Sequence, residues 1–105
     1  MEKEFWTVTE VIELFGLKES FLSDLENEEI VCPTCREEGS LKLFSYSELE
    51  KVRIAKILVE DMDVNLSGVE IILRMRQNMI DMRRQFDAIL EELRGHFTER
   101  LKGRP

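Results

Sequence analysis

Two sets of residues in the first 45 positions have side chains that could do chemistry. One is a group of carboxylates that could bind a basic partner: Glu19, Asp24, Glu26, Glu28, Glu29, Glu37 and Glu38. The other is the pair Cys32 and Cys35, which could supply half of a tetrahedral zinc site or a redox dithiol. The single histidine, His96, lies far along the chain from both sets.

The carboxylates give the N-terminal part of the chain its charge. Residues 1–45 carry four basic and eleven acidic side chains, whereas residues 46–105 carry eleven of each, so the net charge of −7 belongs to the first part. A DNA-binding surface needs Lys and Arg to neutralise phosphates. This end of the chain should therefore repel nucleic acid and attract a basic protein. The alternative is a solvated surface that only keeps the chain soluble.

The cysteines form an incomplete site. Zinc normally takes four ligands, and the chain offers two thiols and one distant histidine. A redox dithiol is usually placed at a helix N-terminus within a βαβ unit, which the pattern does not predict. We therefore expect Cys32 and Cys35 to form an ordinary turn that binds no metal or cofactor, with a zinc or thiol sensor as a further hypothesis. Without a phosphate loop or a Ser/His/Asp set, the chain is predicted not to be an enzyme.

Short helices and a small wing are predicted to position the carboxylates. Apolar residues at i, i+3, i+4 and i+7 within 8–15 indicate a first helix, capped by Thr9 or Thr7. Gly16 ends this helix, and residues 21–25 form a second short one. Two short helices joined by a tight turn with glycine are typical of a helix-turn-helix.

The next elements are a wing and two further helices. Residues 30–45 predict two short strands around a loop that contains Pro33 and Gly39. Residues 47–50 and 67–70 both have the sequence of a capping box, which predicts the starts of the third and fourth helices.

A regular apolar seam runs along the last predicted helix. From Ile72 to Leu93 its members are separated alternately by three and four residues, the period of a coiled coil. We expect a second copy of the chain to cover it. The predicted domains are an acidic head over residues 1–66 and a dimerisation helix with a short tail over residues 67–105. The residues predicted to form the dimer interface are Met75, Met79, Met82, Phe86, Ile89 and Leu93.

Targeting segments are not evident. No run of about 18 apolar residues is present, so no membrane span is predicted. The first residues lack a basic region followed by an apolar stretch, so a secretory signal is not predicted either. We therefore expect a cytoplasmic protein with reduced cysteines.

The order of these parts resembles the MerR superfamily of winged helix-turn-helix regulators, over residues 6 to about 95. Residues 30–45 look like that family's wing, and residues 46–49 and 64–69 are similar to the starts of its third and fourth helices. The resemblance implies an all-α fold with a minimal β wing. The second helix departs from the pattern, because Ser23 stands where the family places an arginine, and Asp24 and Leu25 stand where it places aromatics for DNA contacts.

Residues 65–75 resemble most the CbpM-type chaperone modulators, a branch of this superfamily. That resemblance implies a protein that binds the J domain of a DnaJ-like or CbpA-like co-chaperone and inhibits its interaction with a DnaK-type chaperone. J domains present a basic helix, which an acidic head would suit. The alternative is a MerR-family transcription regulator that binds operator DNA as a dimer, with phosphate contacts from Lys18, Arg36, Lys42 and Arg53.

Overall fold

The computed structural model describes residues 3–35 and 41–103 of the 105-residue chain. These residues form β1 (Phe5–Thr7), α1 (Val8–Phe15), α2 (Glu19–Asn27), β2 (Thr34–Cys35), β3 (Lys42–Ser45), α3 (Tyr46–Glu60) and α4 (Leu66–Lys102). The predicted fold class, all-α with a minimal β wing, is confirmed. The chain divides into two compact units, one ending at Ile71 and the other beginning at Ile72. From here on, the head means this first unit, which ends at Ile71.

The two wing strands, β2 and β3, belong to a three-stranded antiparallel sheet that also contains β1, with β3 between β1 and β2. The sequence pattern predicts only two of these strands, because β1 has three residues, too few to show an alternation of period two. Trp6 of β1 pairs with Phe44 of β3. Phe44 is fully buried, so the central strand anchors the sheet to the core of the head.

α1 starts directly where β1 ends, at a complete capping box. The Thr7 hydroxyl accepts a hydrogen bond from the Glu10 N–H at 3.3 Å, and the Glu10 carboxylate accepts one from the Thr7 N–H at 3.1 Å. Of the two predicted caps, Thr7 is therefore the correct one, and Thr9 lies inside the helix. Gly16 ends α1 with a φ of 64°, a left-handed conformation that favours glycine.

The capping boxes predicted at residues 47–50 and 67–70 are wrong by two residues. The cap of α3 is Ser45, whose hydroxyl accepts from the backbone N–H three residues later at 3.4 Å. Asn65 does the same for α4, with an N–H to side-chain oxygen distance of 2.8 Å. A capping residue needs extended backbone, which Ser45 has as the last residue of a strand, whereas Ser47 is already helical.

The core of the head is apolar, and no polar or charged side chain is buried in the described residues. At the edge of this core, Lys56 connects α3 to α1. Its Nζ donates to the carbonyl oxygen of Phe15 at 2.5 Å, at the C-terminal end of α1, where a cation is favoured by the helix dipole. The buried side chains are Val11, Leu17, Leu22, Leu25, Ile30, Val31, Phe44, Leu49, Val52, Ala55, Leu58 and Val69.

The second unit continues α4 from Ile72. Its residues 81–103 are all exposed. Despite the length of α4, none of the described helices combines the length and apolar composition needed to cross a membrane.

Candidate protein-interaction surfaces

α2 turns one face to the core and the other to solvent. Leu22 and Leu25 are buried, whereas Glu19 in the first turn, Asp24, and the residues Glu28 and Glu29 that follow the helix are exposed. We call the exposed carboxylates of α2 and this turn the acidic surface, which consists of Glu19, Asp24, Glu28 and Glu29.

The acidic surface has no basic partner inside the described part of the chain, since no ion pair there involves any of its four residues. Asp24 and Glu28 stand at i and i+4, a spacing at which like charges destabilise a helix by roughly 0.2–0.5 kcal/mol. The C-terminal end of α2 also disfavours negative charge, and its last turn contains no basic residue. Asp24, Glu28 and Glu29 therefore do not stabilise the helix, whereas Glu19, in its first turn, does.

The acidic surface ends at a residue with strained backbone. Glu29 has a φ of 57°, a left-handed conformation that costs a non-glycine residue roughly 1–2 kcal/mol. The Ile30 N–H donates to the Leu25 carbonyl at 2.9 Å, and the Glu29 N–H donates to the Glu26 carbonyl at 3.0 Å. This is the Schellman pattern, in which the left-handed residue is usually glycine.

Three carboxylates of the predicted partner site are not counted in the acidic surface. Glu26 has a side chain only 17% exposed, and Lys42 Nζ lies 3.3 Å from each of its carboxylate oxygens. Its charge is neutralised within the head, so the expectation that it is free for a partner needs correction. Glu37 and Glu38 lie outside the described residues.

Two of the three described basic residues that a DNA-binding head would use are paired with carboxylates. The Arg53 guanidinium donates to Glu50 at 2.8 and 3.4 Å, and these hydrogen bonds, together with the Glu50 charge, raise the pKa of Arg53. Lys42 is held by the carboxylate described above. Arg36 lies outside the described residues, and Lys18 is exposed with no carboxylate partner in the described part.

Cys32 is tied to α3 through its backbone, whereas Cys35 lies in β2 and pairs with Lys42 of β3, so the prediction that the two cysteines form a turn is wrong. The Cys32 N–H donates to a carboxylate oxygen of Glu48 at 3.2 Å, and the other oxygen of Glu48 pairs with Lys51 at 3.1 Å. Glu48 thus fixes the segment before β2 in place. The sequence did not indicate this role, because Glu48 lies inside the capping box predicted at residues 47–50. Cys32 is exposed, and the described residues contain no group of three or more His, Cys, Asp or Glu arranged to hold a metal ion.

A second candidate surface is the apolar seam of α4. The six residues predicted for the dimer interface are between 54% and 70% exposed, and they are Met75, Met79, Met82, Phe86, Ile89 and Leu93. Fully burying a large apolar side chain gains roughly 1.5–3 kcal/mol. A continuous exposed row of them is typical of a surface that pairs with another chain.

The fold that carries both surfaces matches a known protein family. A family model described as "MerR HTH family regulatory protein" matches residues 6–94. The chain belongs to the MerR HTH family. The match runs from β1 into α4, so the predicted MerR-like assignment is confirmed. No curated protein matches the chain at a significant level.

Within the MerR HTH family, the departure at α2 has a structural consequence. Ser23 and Asp24 are exposed, as residues in DNA-contact positions would be. Leu25, however, is fully buried, so the expectation that it occupies a contact position is wrong. The exposed face of α2 therefore carries a hydroxyl and carboxylates where a phosphate-binding surface needs cations.

Proposed function

We propose that this MerR-family chain is a chaperone modulator of the CbpM type. Its acidic surface binds the J domain of a DnaJ-like or CbpA-like co-chaperone and thereby inhibits the interaction of that co-chaperone with a DnaK-type chaperone. The supporting observation is that Glu19, Asp24, Glu28 and Glu29 are exposed and have no basic partner among the described residues. In this proposal the protein acts in the cytoplasm, needs no cofactor and catalyses no reaction.

The local energetics of α2 support a binding role. The helix tolerates like charges one turn apart, negative charge at its C-terminal end and a left-handed glutamate. Such violations of local preference occur at functional sites, where the strain is offset elsewhere in the fold. A basic helix placed against Asp24 and Glu28 would attract both carboxylates and so offset their mutual repulsion.

The same proposal includes a homodimer formed through the seam of α4. Its apolar residues repeat with the coiled-coil period and are exposed in the single chain. Three of the six are methionines, whose flexible side chains adapt to an irregular partner surface.

Isothermal titration calorimetry with a J domain from the same cell, at low and high salt, tests the proposed contact. The wild-type chain should bind in the micromolar range or tighter and more weakly at high salt, because exposed charges are screened beyond about 8 Å at physiological ionic strength. The double variant Asp24→Lys/Glu28→Lys should lose about tenfold or more in affinity.

The matched control is Asp87→Lys/Glu99→Lys, which makes the same change in net charge on exposed residues of α4. This control should bind the J domain like the wild type. An equal loss in both double variants would show that the overall charge, and no local surface, attracts the J domain.

A second candidate function is a transcription regulator that binds operator DNA as a dimer. The family match favours it, as does Lys18, an exposed cation at the N-cap of α2. Support for it would be an absence of binding to every J domain of the cell, together with DNA binding that weakens in Lys18→Glu.

A further inference from the structure

A shallow depression lies on the head where β1 meets α1. Its volume is about 340 Å³, and it is lined by Trp6, Glu10, Glu13 and Leu14. No residue of the acidic surface lines it, so it is a separate feature of the head. Small-molecule sites span roughly 300–1,000 Å³ and enclose most of their ligand, which makes this depression small and open by comparison.

The apolar part of the lining is fixed in place and accessible. Trp6 belongs to β1, whose backbone pairs it with the fully buried Phe44. The Trp6 side chain itself is only half-buried, and Leu14 is 59% exposed. A partly exposed tryptophan and an exposed leucine thus line the same depression.

The two carboxylates of the lining differ in availability. Glu10 accepts from the Thr7 N–H and forms an ion pair with Lys3, so its charge is already used within the head. Glu13 is exposed and has no basic partner in the described part of the chain. The depression therefore offers one carboxylate beside two apolar side chains.

We propose that this depression binds an arginine side chain of a protein partner. The guanidinium plane stacks on the Trp6 ring and its N–H groups donate to Glu13, while the aliphatic stem covers Leu14. Arginine fits this set better than lysine, because its planar group can both stack on an aromatic ring and donate two parallel hydrogen bonds to a carboxylate. The contact adds a second binding surface to the acidic one and does not depend on the J-domain proposal.

Trp6 is the only tryptophan of the chain, so its fluorescence reports on the depression directly. The experiment titrates the full chain with a short helical arginine–leucine peptide, and with lysine–leucine and glutamate–leucine peptides as controls. We expect a saturable change in Trp6 emission with the arginine peptide, a weaker response to the lysine peptide and none to the glutamate peptide.

Two variants change residues that line the depression, and a third removes a carboxylate elsewhere on the chain as a control. Glu13→Gln and Leu14→Ser should each weaken binding of the arginine peptide by roughly threefold. Glu99→Gln, which removes the same charge from an exposed position on α4, should leave it unchanged. An equal effect of Glu13→Gln and Glu99→Gln would overturn the proposal.

The double variant Asp24→Lys/Glu28→Lys separates this inference from the proposed function. If the peptide binds the depression, the Trp6 response persists in that variant. Binding that calorimetry detects without a change in Trp6 emission, or a response lost only in the double variant, would place the peptide on the acidic surface and contradict the inference. An absence of any binding would contradict it as well.

Discussion

In the head, the apolar faces of α1, α2 and α3 are covered by neighbouring elements, whereas the apolar seam of α4 beyond Ile71 faces solvent. Two phenylalanines show the contrast: Phe44 is fully buried and Phe86 is 59% exposed. Phe86 belongs to a regularly spaced apolar seam, whereas Phe44 stands next to Leu43 in a four-residue strand without such spacing. The comparison teaches that the spacing of the seam identifies an apolar face but does not say which chain covers it.

The two units also differ in how they use charge. Basic residues of the head are mostly held by internal carboxylates, as in the pairs Lys42–Glu26 and Arg53–Glu50, and the acidic surface is left without such partners. The part of α4 beyond Ile71 mixes both signs along one helix, with exposed pairs such as Arg94–Glu91 at 3.7 Å. Exposed pairs of this kind contribute little to stability.

The largest expected effect tests the contrast between the two phenylalanines. Phe44→Ala should lower the free energy of unfolding of the head by about 3–5 kcal/mol, because it removes a fully buried ring and leaves a cavity. Phe86→Ala should leave unfolding of the head nearly unchanged. Urea titration followed by Trp6 fluorescence measures the head in both variants. Similar losses would mean that the seam of α4 belongs to the folded core of the single chain.

A methionine pair tests the self-association of α4. Met82→Lys places a charge in the seam and should weaken dimerisation by about tenfold or more, so that sedimentation gives the monomer mass. Met62→Lys is the matched control, because Met62 is 63% exposed and Met82 is 68% exposed, but Met62 lies in the head. The control should keep the wild-type mass. If Met82→Lys keeps it too, the seam is not the dimer interface.

A serine pair tests the start of α3. Ser45→Ala should lower stability by about 1 kcal/mol, because it removes the side-chain acceptor for a free backbone N–H. Ser47→Ala, two residues later on an exposed helical position, should change stability by less than about 0.5 kcal/mol. Thermal unfolding of both variants measures the difference. A larger loss of stability in Ser47→Ala than in Ser45→Ala would indicate that Ser47 is the cap.

The smallest expected effect is a gain in stability at the acidic surface. Glu29→Gly should raise the free energy of unfolding by about 0.5–1 kcal/mol, because glycine adopts the left-handed conformation without strain. Asn27→Gly, at the last residue of α2, should instead lower it by a few tenths of a kcal/mol. In the proposed function the stabilised Glu29→Gly variant also binds the J domain less tightly. If Glu29→Gly is more stable but binds the J domain with unchanged affinity, Glu29 does not contribute to the binding surface.

The helices could be predicted with good accuracy because each has a periodic apolar face. The two wing strands within residues 30–45 were also predicted, but β1 was missed, since it is a strand of three residues that is defined only by its pairing with β3. The capping motifs at Ser47 and Ser67 matched in sequence, but the structure places the caps at Ser45 and Asn65, where the preceding segment ends. Cap position depends on backbone conformation, which a four-residue motif does not contain.

The sequence by itself determined most of the elements in their order, the acidic charge of residues 1–45 and the apolar seam, because composition and periodicity are local properties. Only the tertiary structure decided which carboxylates are free. The sequence pattern does not distinguish Glu26 from Glu28. In the structure, Lys42 of β3 neutralises Glu26, whereas Glu28 is exposed. It also brought Trp6 and Leu14 together beside Glu13, since contacts between a strand and a helix depend on how the chain folds back on itself.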